Sequence, residues 1–199
     1  MEQPIRLKHP IRNSTSVARA LRTHAVVLGT STALLWAVLT INSVLGGSLL
    51  AYGVRPRSVE GLRGIIFAPF LHANVAHLVA NTVPLLVLGW LVLLRDARHF
   101  IPVTLIAMLG GGLAAWLLGA PNSVHIGASG VVFGYFGFLV LAGWFARSMG
   151  SIVLSVVVTA LWGGAVLGVL PGQPGISWEA HLGGFIGGAM AARWLAPRR

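Results

Sequence analysis

Charged residues are absent from five long stretches of this 199-residue chain, and this absence constrains its fold more than any other feature. No Asp, Glu, Lys or Arg occurs in residues 23–54, 64–94, 99–146, 148–178 or 180–192. A helix needs about 20 apolar residues to cross the hydrocarbon core of a bilayer. The longest stretch, 48 residues from 99 to 146, has room for two such helices. With one helix in each of the others, the chain is predicted to cross a membrane six times.

The composition favours the same class of protein. Apolar residues make up 56% of the chain and charged residues 9%, with a mean hydropathy of +0.83, whereas soluble proteins have about 25% charged residues. The apolar runs are continuous, which predicts helices, because strands of a membrane barrel alternate over about 10 residues. The predicted spans are residues 25–46, 74–94, 101–118, 129–146, 152–170 and 180–196.

The positions of the basic residues predict the orientation in the membrane. Six spans put both ends on one side, and with both ends in the cytoplasm 11 of the 14 Lys and Arg residues lie inside, five of them in residues 1–24. Only Arg55, Arg57 and Arg63 lie outside, which agrees with the positive-inside rule. We therefore expect an all-α polytopic membrane protein with N-in/C-in topology. Residues 1–24 would be a basic cytoplasmic tail and residues 25–199 a single six-helix transmembrane domain.

The first apolar run is too long for the core of a signal peptide, which has about 7 to 15 residues, so we expect the first helix to be retained. The net charge of +10 favours anionic lipid of the bilayer as a partner. Nucleic acid is not expected, since the basic residues flank the spans without interleaved aromatic residues. With no cysteine in the chain, a disulfide framework and a thiolate metal site are excluded.

Polar residues occur at the starts of the second, fourth and sixth predicted spans. In the predicted topology all three starts lie at the same outer depth. The residues concerned are His72, His77 and Asn81, then Ser129, then His181. Polar groups within spans are energetically expensive and therefore indicate function.

Each of these residues also has an ordinary structural interpretation. Ser129 is suitably placed to be a helix N-cap, and His125, four residues earlier, is either an exposed loop histidine or a competing general base. His77 and Asn81 share a helix face, but a metal site needs at least three ligands and no intramembrane carboxylate is available. No metal and no cofactor are therefore expected.

The acidic residues limit what chemistry a serine can perform here. Glu179 is the only carboxylate near His181, and side chains two residues apart point in different directions. A Ser/His dyad is therefore expected rather than a Ser/His/acid triad.

Glycine pairs four residues apart predict close helix packing. Gly130 and Gly134 lie in the fourth span, and the pairs 183/187 and 184/188 lie in the sixth. Small residues at this spacing let two helix backbones approach closely. We expect this approach to bring Ser129 and His181 within hydrogen-bond distance.

Three motifs together resemble the rhomboid intramembrane serine proteases. They are H-x4-H-x3-N at His72, His77 and Asn81, G-x-S-G at residues 127–130, and A-H-x2-G-x3-G at residues 180–188. The resemblance covers residues 25–196 and is specific through the order and spacing of the motifs. It implies a serine endopeptidase of the compact six-helix prokaryotic form, in a cell membrane, acting on transmembrane segments of other proteins.

The resemblance also implies a function for each residue of the motifs. Ser129 would be the nucleophile and His181 the general base, while His77 and Asn81 would stabilise the oxyanion together with the main-chain N–H of Ser129. The residues that shape the site would be His72, Gly127 and Phe133, with the Phe133 ring stacked on His181. Leu62 and Arg63 stand at nearly the place of the family's frequent Trp-Arg pair, so this chain departs from the family in its first outer loop.

Two other functions remain open at this point. A non-catalytic relative of the same fold would bind transmembrane helices, although such relatives lack the serine or the histidine. A small transporter would need polar residues at mid-membrane and in the cytoplasmic half, where this chain offers little beyond Thr82 and Thr159.

The breaker-rich segment 171–177 is predicted to be a loop that caps the site.

Overall fold

The computed structural model describes residues 14–196, and this part of the chain is built from helices. No β-strand occurs within it, apart from one isolated antiparallel bridge between Val54 and His125. The prediction of an all-α fold is therefore confirmed. The helices are α1 (Ser14–Val44), α2 (Gly64–Phe67), α3 (Val75–Arg95), α4 (Phe100–Leu118), α5 (Ser129–Ala146), α6 (Met149–Trp162) and α7 (Trp178–Trp194).

Four helical segments of the described residues are long and apolar enough to cross a membrane. They are Ser16–Val44, Val75–Arg95, Ala97–Leu118 and Ser129–Ala146, and Met149–Ala165 is a shorter apolar helix. These segments are those of a membrane protein.

Two predicted spans differ from the helices that form. Helix α1 begins at Ser14 rather than at residue 25, and Arg19 and Arg22 lie exposed on its surface, where charge carries little cost. The rest of the predicted tail, residues 1–13, lies outside the described residues. The predicted span 152–170 is not one α-helix: α6 ends at Trp162 and residues 163–169 form a 3-10 helix. Glycines at 163, 164 and 168 lower the helix propensity of this segment.

Helix α7 packs between α4 and α5, and its glycines face both neighbours. A Cβ added at Gly184 or Gly188 would overlap the carbonyl oxygen of Gly130 or of Gly134 on α5. Glycines 183 and 187 instead meet the backbone of α4, at residues 110 and 106. The glycine spacing predicted the contact between α5 and α7, whereas the second contact, with α4, was not foreseen.

The segment between α1 and α3 folds into short helical turns and packs against the loop that precedes α5. The N–H of Val54 donates to the carbonyl of His125 at 3.0 Å, and His125 returns a bond of 2.9 Å. The Arg63 guanidinium lies 4.4 Å from the centre of the Tyr52 ring. The two backbone bonds hold the 119–128 loop in place at the start of α5, while the contact of Arg63 with Tyr52 lies within the segment between α1 and α3.

Candidate active site

Ser129 is the first residue of α5, and its side chain does not cap the helix. The cap position is Ala128, and no side-chain cap bond forms there. Among the described residues, Ser129 Oγ makes no hydrogen bond, and the half-buried side chain lines a cavity of about 700 Å³. The interpretation of Ser129 as an N-cap is therefore wrong, and its hydroxyl is available to the cavity.

His181 lies in the first turn of α7 with one ring nitrogen bound to the backbone. Its Nδ1 lies 2.9 Å from the carbonyl oxygen of Gly168, which can only accept a hydrogen. The Nδ1 atom therefore carries the hydrogen and Nε2 has the lone pair that a general base needs. The Phe133 ring is stacked on the imidazole, with the ring centres 4.1 Å apart and the planes within 9°.

Ser129 and His181 line the same cavity, together with His77, Asn81 and Phe133. Phe133 follows Ser129 by one helical turn, so the stacked imidazole lies against the same face of α5. The expected hydrogen bond between Ser129 and His181 is not formed in this structure. Catalytic hydrogen bonds are often long in enzymes without substrate and tighten in the complex.

His77 and Asn81 present hydrogen-bond donors to this cavity from one face of α3. Asn81 Nδ2 donates one hydrogen to the carbonyl of His77 at 2.9 Å, which leaves its second hydrogen unused. The N–H of Ala73 donates to His77 Nδ1 at 3.5 Å, so the hydrogen of that ring is on Nε2. Asn74 caps the helix by accepting from the N–H of His77 at 2.8 Å, which fixes the first turn of α3.

Gly127 brings the chain close to these two donors. Its φ of +112° lies in a region that favours glycine. A Cβ at this position would lie 2.7 Å from His77 Nε2. Its N–H donates to the carbonyl of Ala68 at 2.9 Å, which links the loop to the segment before α3.

His72 lies beneath the site rather than in the cavity. The protein buries it almost completely, since His72 is 1% exposed. Its Nε2 accepts from the N–H of Ala128 at 3.4 Å, and its ring centre is 5.0 Å from that of His77. Burial, reinforced by His77, lowers the pKa of His72 to about 4, although the carbonyl of Phe70 opposes this shift. His72 is therefore neutral at physiological pH and supports the loop before Ser129.

His125 is not an exposed loop histidine, so the simpler interpretation of it is wrong. Only 11% of its side chain is accessible, because both ring nitrogens are occupied by serine hydroxyls. Its Nε2 lies 2.9 Å from Ser123 Oγ and its Nδ1 2.6 Å from Ser177 Oγ. The Glu179 carboxylate lies 4.0 Å from His125 Nδ1 and accepts no hydrogen bond from His181.

Two contacts of the site were missed by sequence reasoning. Gly168 supplies the carbonyl that orients His181, and Ala68 supplies the carbonyl that holds Gly127. The glycine-rich run GGAVLGV was a signal that the predicted fifth span would break near this point. No sequence feature identifies Ala68 as a contact of the site, because it acts through its main-chain carbonyl, which every residue has.

Comparison with known proteins agrees with the motifs. Residues 59–198 match the model of the Rhomboid domain. An uncharacterized protein of Mycobacterium tuberculosis (strain ATCC 25618 / H37Rv) is 46% identical over 179 residues, which cover 85% of this chain and 75% of that protein. RHOMBOID-like protein 4 of Arabidopsis thaliana is 33% identical over 138 residues, which cover 65% of this chain and 32% of that protein. The chain belongs to the rhomboid family.

Proposed function

We propose that this protein is an intramembrane serine endopeptidase that cleaves transmembrane segments of other membrane proteins near the outer membrane surface. The observation that carries the proposal is the cavity shared by an unbonded serine hydroxyl, Ser129, and an oriented imidazole, His181. Two further polar groups, His77 and Asn81, line the same cavity. A nucleophile, a base and oxyanion donors around one cavity are the parts that acyl transfer needs.

The proposed reaction uses the tautomer of His181 described above. Nε2 takes the proton of Ser129 as its oxygen attacks the scissile carbonyl, and an acyl-enzyme forms when the proton passes to the leaving amine. Water then enters the same cavity, loses its proton to Nε2 and releases the acyl group. The Gly168 carbonyl and the Phe133 ring keep the imidazole in one orientation throughout.

The oxyanion of the tetrahedral intermediate would be stabilised at the start of α5. The N–H groups of Gly127 and Ala128 are bound to Ala68 and His72, while that of Ser129 makes no hydrogen bond among the described residues. A free N–H at a helix N-terminus is favourable for an anion. The unused hydrogens of His77 and Asn81 would complete the set, and each such donor is worth about 3 to 4 kcal/mol in soluble serine proteases.

We propose six spans with both termini in the cytoplasm for this bundle. Helix α6, with 14 residues, and the 3-10 segment after it, with 7, would together span about 35 Å at about 1.5 and 2.0 Å per residue. That length is sufficient for a hydrocarbon core of about 30 Å. Helix α7, with 17 residues, spans about 26 Å and packs against α4 and α5. Substrate segments would then enter from the bilayer, and anionic lipid would contact the basic cytoplasmic face.

A fluorophosphonate probe and a transmembrane reporter peptide test the proposal in detergent and in proteoliposomes. The parent protein should be labelled and should cleave the reporter. Ser129→Ala should lose both activities, and His181→Ala should reduce both by at least about 1000-fold, as in serine dyads and triads. Ser43→Ala and His24→Ala are matched controls, because these residues lie on α1, and both should behave like the parent.

The outcomes separate the proposal from its alternatives. Cleavage by Ser129→Ala at the parent rate would refute a serine mechanism. An inactive His125→Ala beside an active His181→Ala would move the base to His125. A well-folded parent that binds the reporter without labelling or cleavage would instead be a protein that binds transmembrane helices.

A further inference from the structure

A chain of four polar side chains connects the loop before α5 to the first turn of α7. It consists of Ser123, His125, Ser177 and Glu179, and it is called the loop-to-α7 chain below. Its links are 2.9 Å from Ser123 Oγ to His125 Nε2, 2.6 Å from His125 Nδ1 to Ser177 Oγ, and 3.4 Å from Ser177 Oγ to Glu179 Oε2. The proposed reaction uses none of these four residues.

The four residues of the loop-to-α7 chain line the same cavity as Ser129, and the side chains of two of them are largely buried. The side chains of His125 and Glu179 are 11% and 8% exposed, although a carboxylate is almost never buried without a partner. Ser177 is also the N-cap of α7, since its Oγ accepts from the N–H of Ala180 at 3.4 Å. An interaction with His125 therefore acts on the cap of the helix that carries His181.

Donors and acceptors can be assigned along the loop-to-α7 chain, starting from the Glu179 carboxylate. The Glu179 carboxylate only accepts, so Ser177 donates to it and must accept from His125 Nδ1–H. In a neutral imidazole Nε2 then accepts, and the single hydroxyl hydrogen of Ser123 is shared between this nitrogen, at 2.9 Å, and the carbonyl oxygen of Ala120, at 2.7 Å. Burial lowers the pKa of His125, against the opposing effect of Glu179, which favours this neutral form. Among the described residues, no buried side-chain polar atom of the loop-to-α7 chain lacks a hydrogen-bond partner.

The loop-to-α7 chain joins the 119–128 loop to α7, and the distance between these two segments matters for the proposed reaction. The 119–128 loop carries Gly127 and leads directly into Ser129, while α7 carries His181 two residues after Glu179. Helix packing lower in the bundle sets the distance between α5 and α7. At the level of the site, the link from His125 to Ser177 joins the loop directly to the start of α7.

We infer that His125 is a positioning residue of the active site, which holds the first turn of α7, and with it His181, in register with the loop before Ser129. The inference rests on the proposed function, because the positioned groups are its nucleophile and base. The hydrogen on His125 Nδ1 is the essential part, since it reaches the cap of α7.

Replacement of single ring nitrogens tests this assignment. His125→Asn keeps a donor at the position of Nδ1, His125→Gln keeps one at the position of Nε2, and His125→Phe keeps the ring without either. We expect kcat for the reporter to fall about 10- to 100-fold in the Phe and Gln variants, since a shift of about 1 Å in a catalytic group costs about 100-fold. Asn should retain kcat within about threefold of the parent, and KM should change little throughout.

A simple packing function for His125 predicts the reverse order, because Phe preserves the ring volume better than Asn. Ser177→Ala should reproduce the defect of His125→Phe, and the double variant should be no worse than either, as expected for residues that act as a unit. His24→Phe, the same substitution in a buried histidine of α1, is the matched control and should keep the parent kcat.

Hydrogen exchange of residues 178–182 provides a readout that does not need activity, and it should be faster in His125→Phe than in the parent and in His125→Asn. Parent rates of cleavage and exchange in His125→Phe would overturn the inference and leave the proposed function intact. A parent without cleavage or labelling would overturn both. Equal losses in the Asn, Gln and Phe variants would also overturn the assignment to Nδ1.

Discussion

Substitution of Gly184 by Ala should separate α5 from α7 one turn below the proposed catalytic pair. An added Cβ would overlap the carbonyl oxygen of Gly130, whereas ordinary van der Waals contact begins at 3.4 Å. The overlap requires a relative shift of about 1 Å or more, which costs about 100-fold when it misplaces catalytic groups. Overpacking of this kind also costs about 1 to 3 kcal/mol of stability.

Two further alanine substitutions make the test graded. At Gly130 the added Cβ would lie 3.3 Å from the carbonyl oxygen of Ala180, so a shift of a few tenths of an ångström suffices and kcat should fall only a few-fold. At Gly29 on α1 nothing lies within 4 Å, and kcat should equal that of the parent. The assay is reporter cleavage in detergent, with the thermal unfolding midpoint measured for each variant. If Gly184→Ala were folded and cleaved at the parent rate, close packing of α5 and α7 would not control the reaction.

Two other predictions concern aromatic rings of the site. Phe133→Leu should lower kcat about 3- to 10-fold while Phe133→Tyr keeps it, because an aromatic pair is worth about 0.5 to 1.5 kcal/mol and only the first variant loses it. For His72, the pKa of about 4 in the folded state lies below 6.5 in the unfolded chain, so stability is full above pH 6.5 and is lost as the pH falls towards 4. The loss is at most about 3 kcal/mol, and between pH 7 and 4 the thermal unfolding midpoint of the parent should fall further than that of His72→Gln, in which the lowered pKa of His125 still contributes. An equal decline in both proteins would mean that other groups cause it.

The charge-free stretches predicted helix ends well where a polar segment interrupts an apolar run. The predicted span 74–94 became Val75–Arg95, and 129–146 became Ser129–Ala146. Arg95 is the last residue of α3 and Arg147 the C-cap of α5, which agrees with the cost of a charged side chain within an apolar span. Residues 163–169 are apolar and rich in glycine, and their hydropathy does not distinguish an α-helix from the 3-10 helix that forms.

Sequence reasoning placed His77, Asn81, Ser129 and His181 at one depth, and these four residues line one cavity in the structure. Sequence reasoning did not foresee the burial of His72 and His125, which depends on what packs over them. Both positions lie in loops, where hydrophobic periodicity does not define a buried face. In each case a contact from a segment distant in sequence decided the outcome: Ala128 for His72, and Ser177 for His125.

The two glycine faces of α7 explain why the site lies at the start of this helix rather than in its middle. Contact with α5 on one side and with α4 on the other leaves no room for a polar cavity among residues 183–188. His181 lies in the first turn, before these glycines, and its side chain stacks on Phe133 of α5 and lines the cavity. The glycines among residues 183–188 thus account for the close packing of this part of α7 and for the position of the cavity at its start. Ser129 and His181 lie at the level of that cavity.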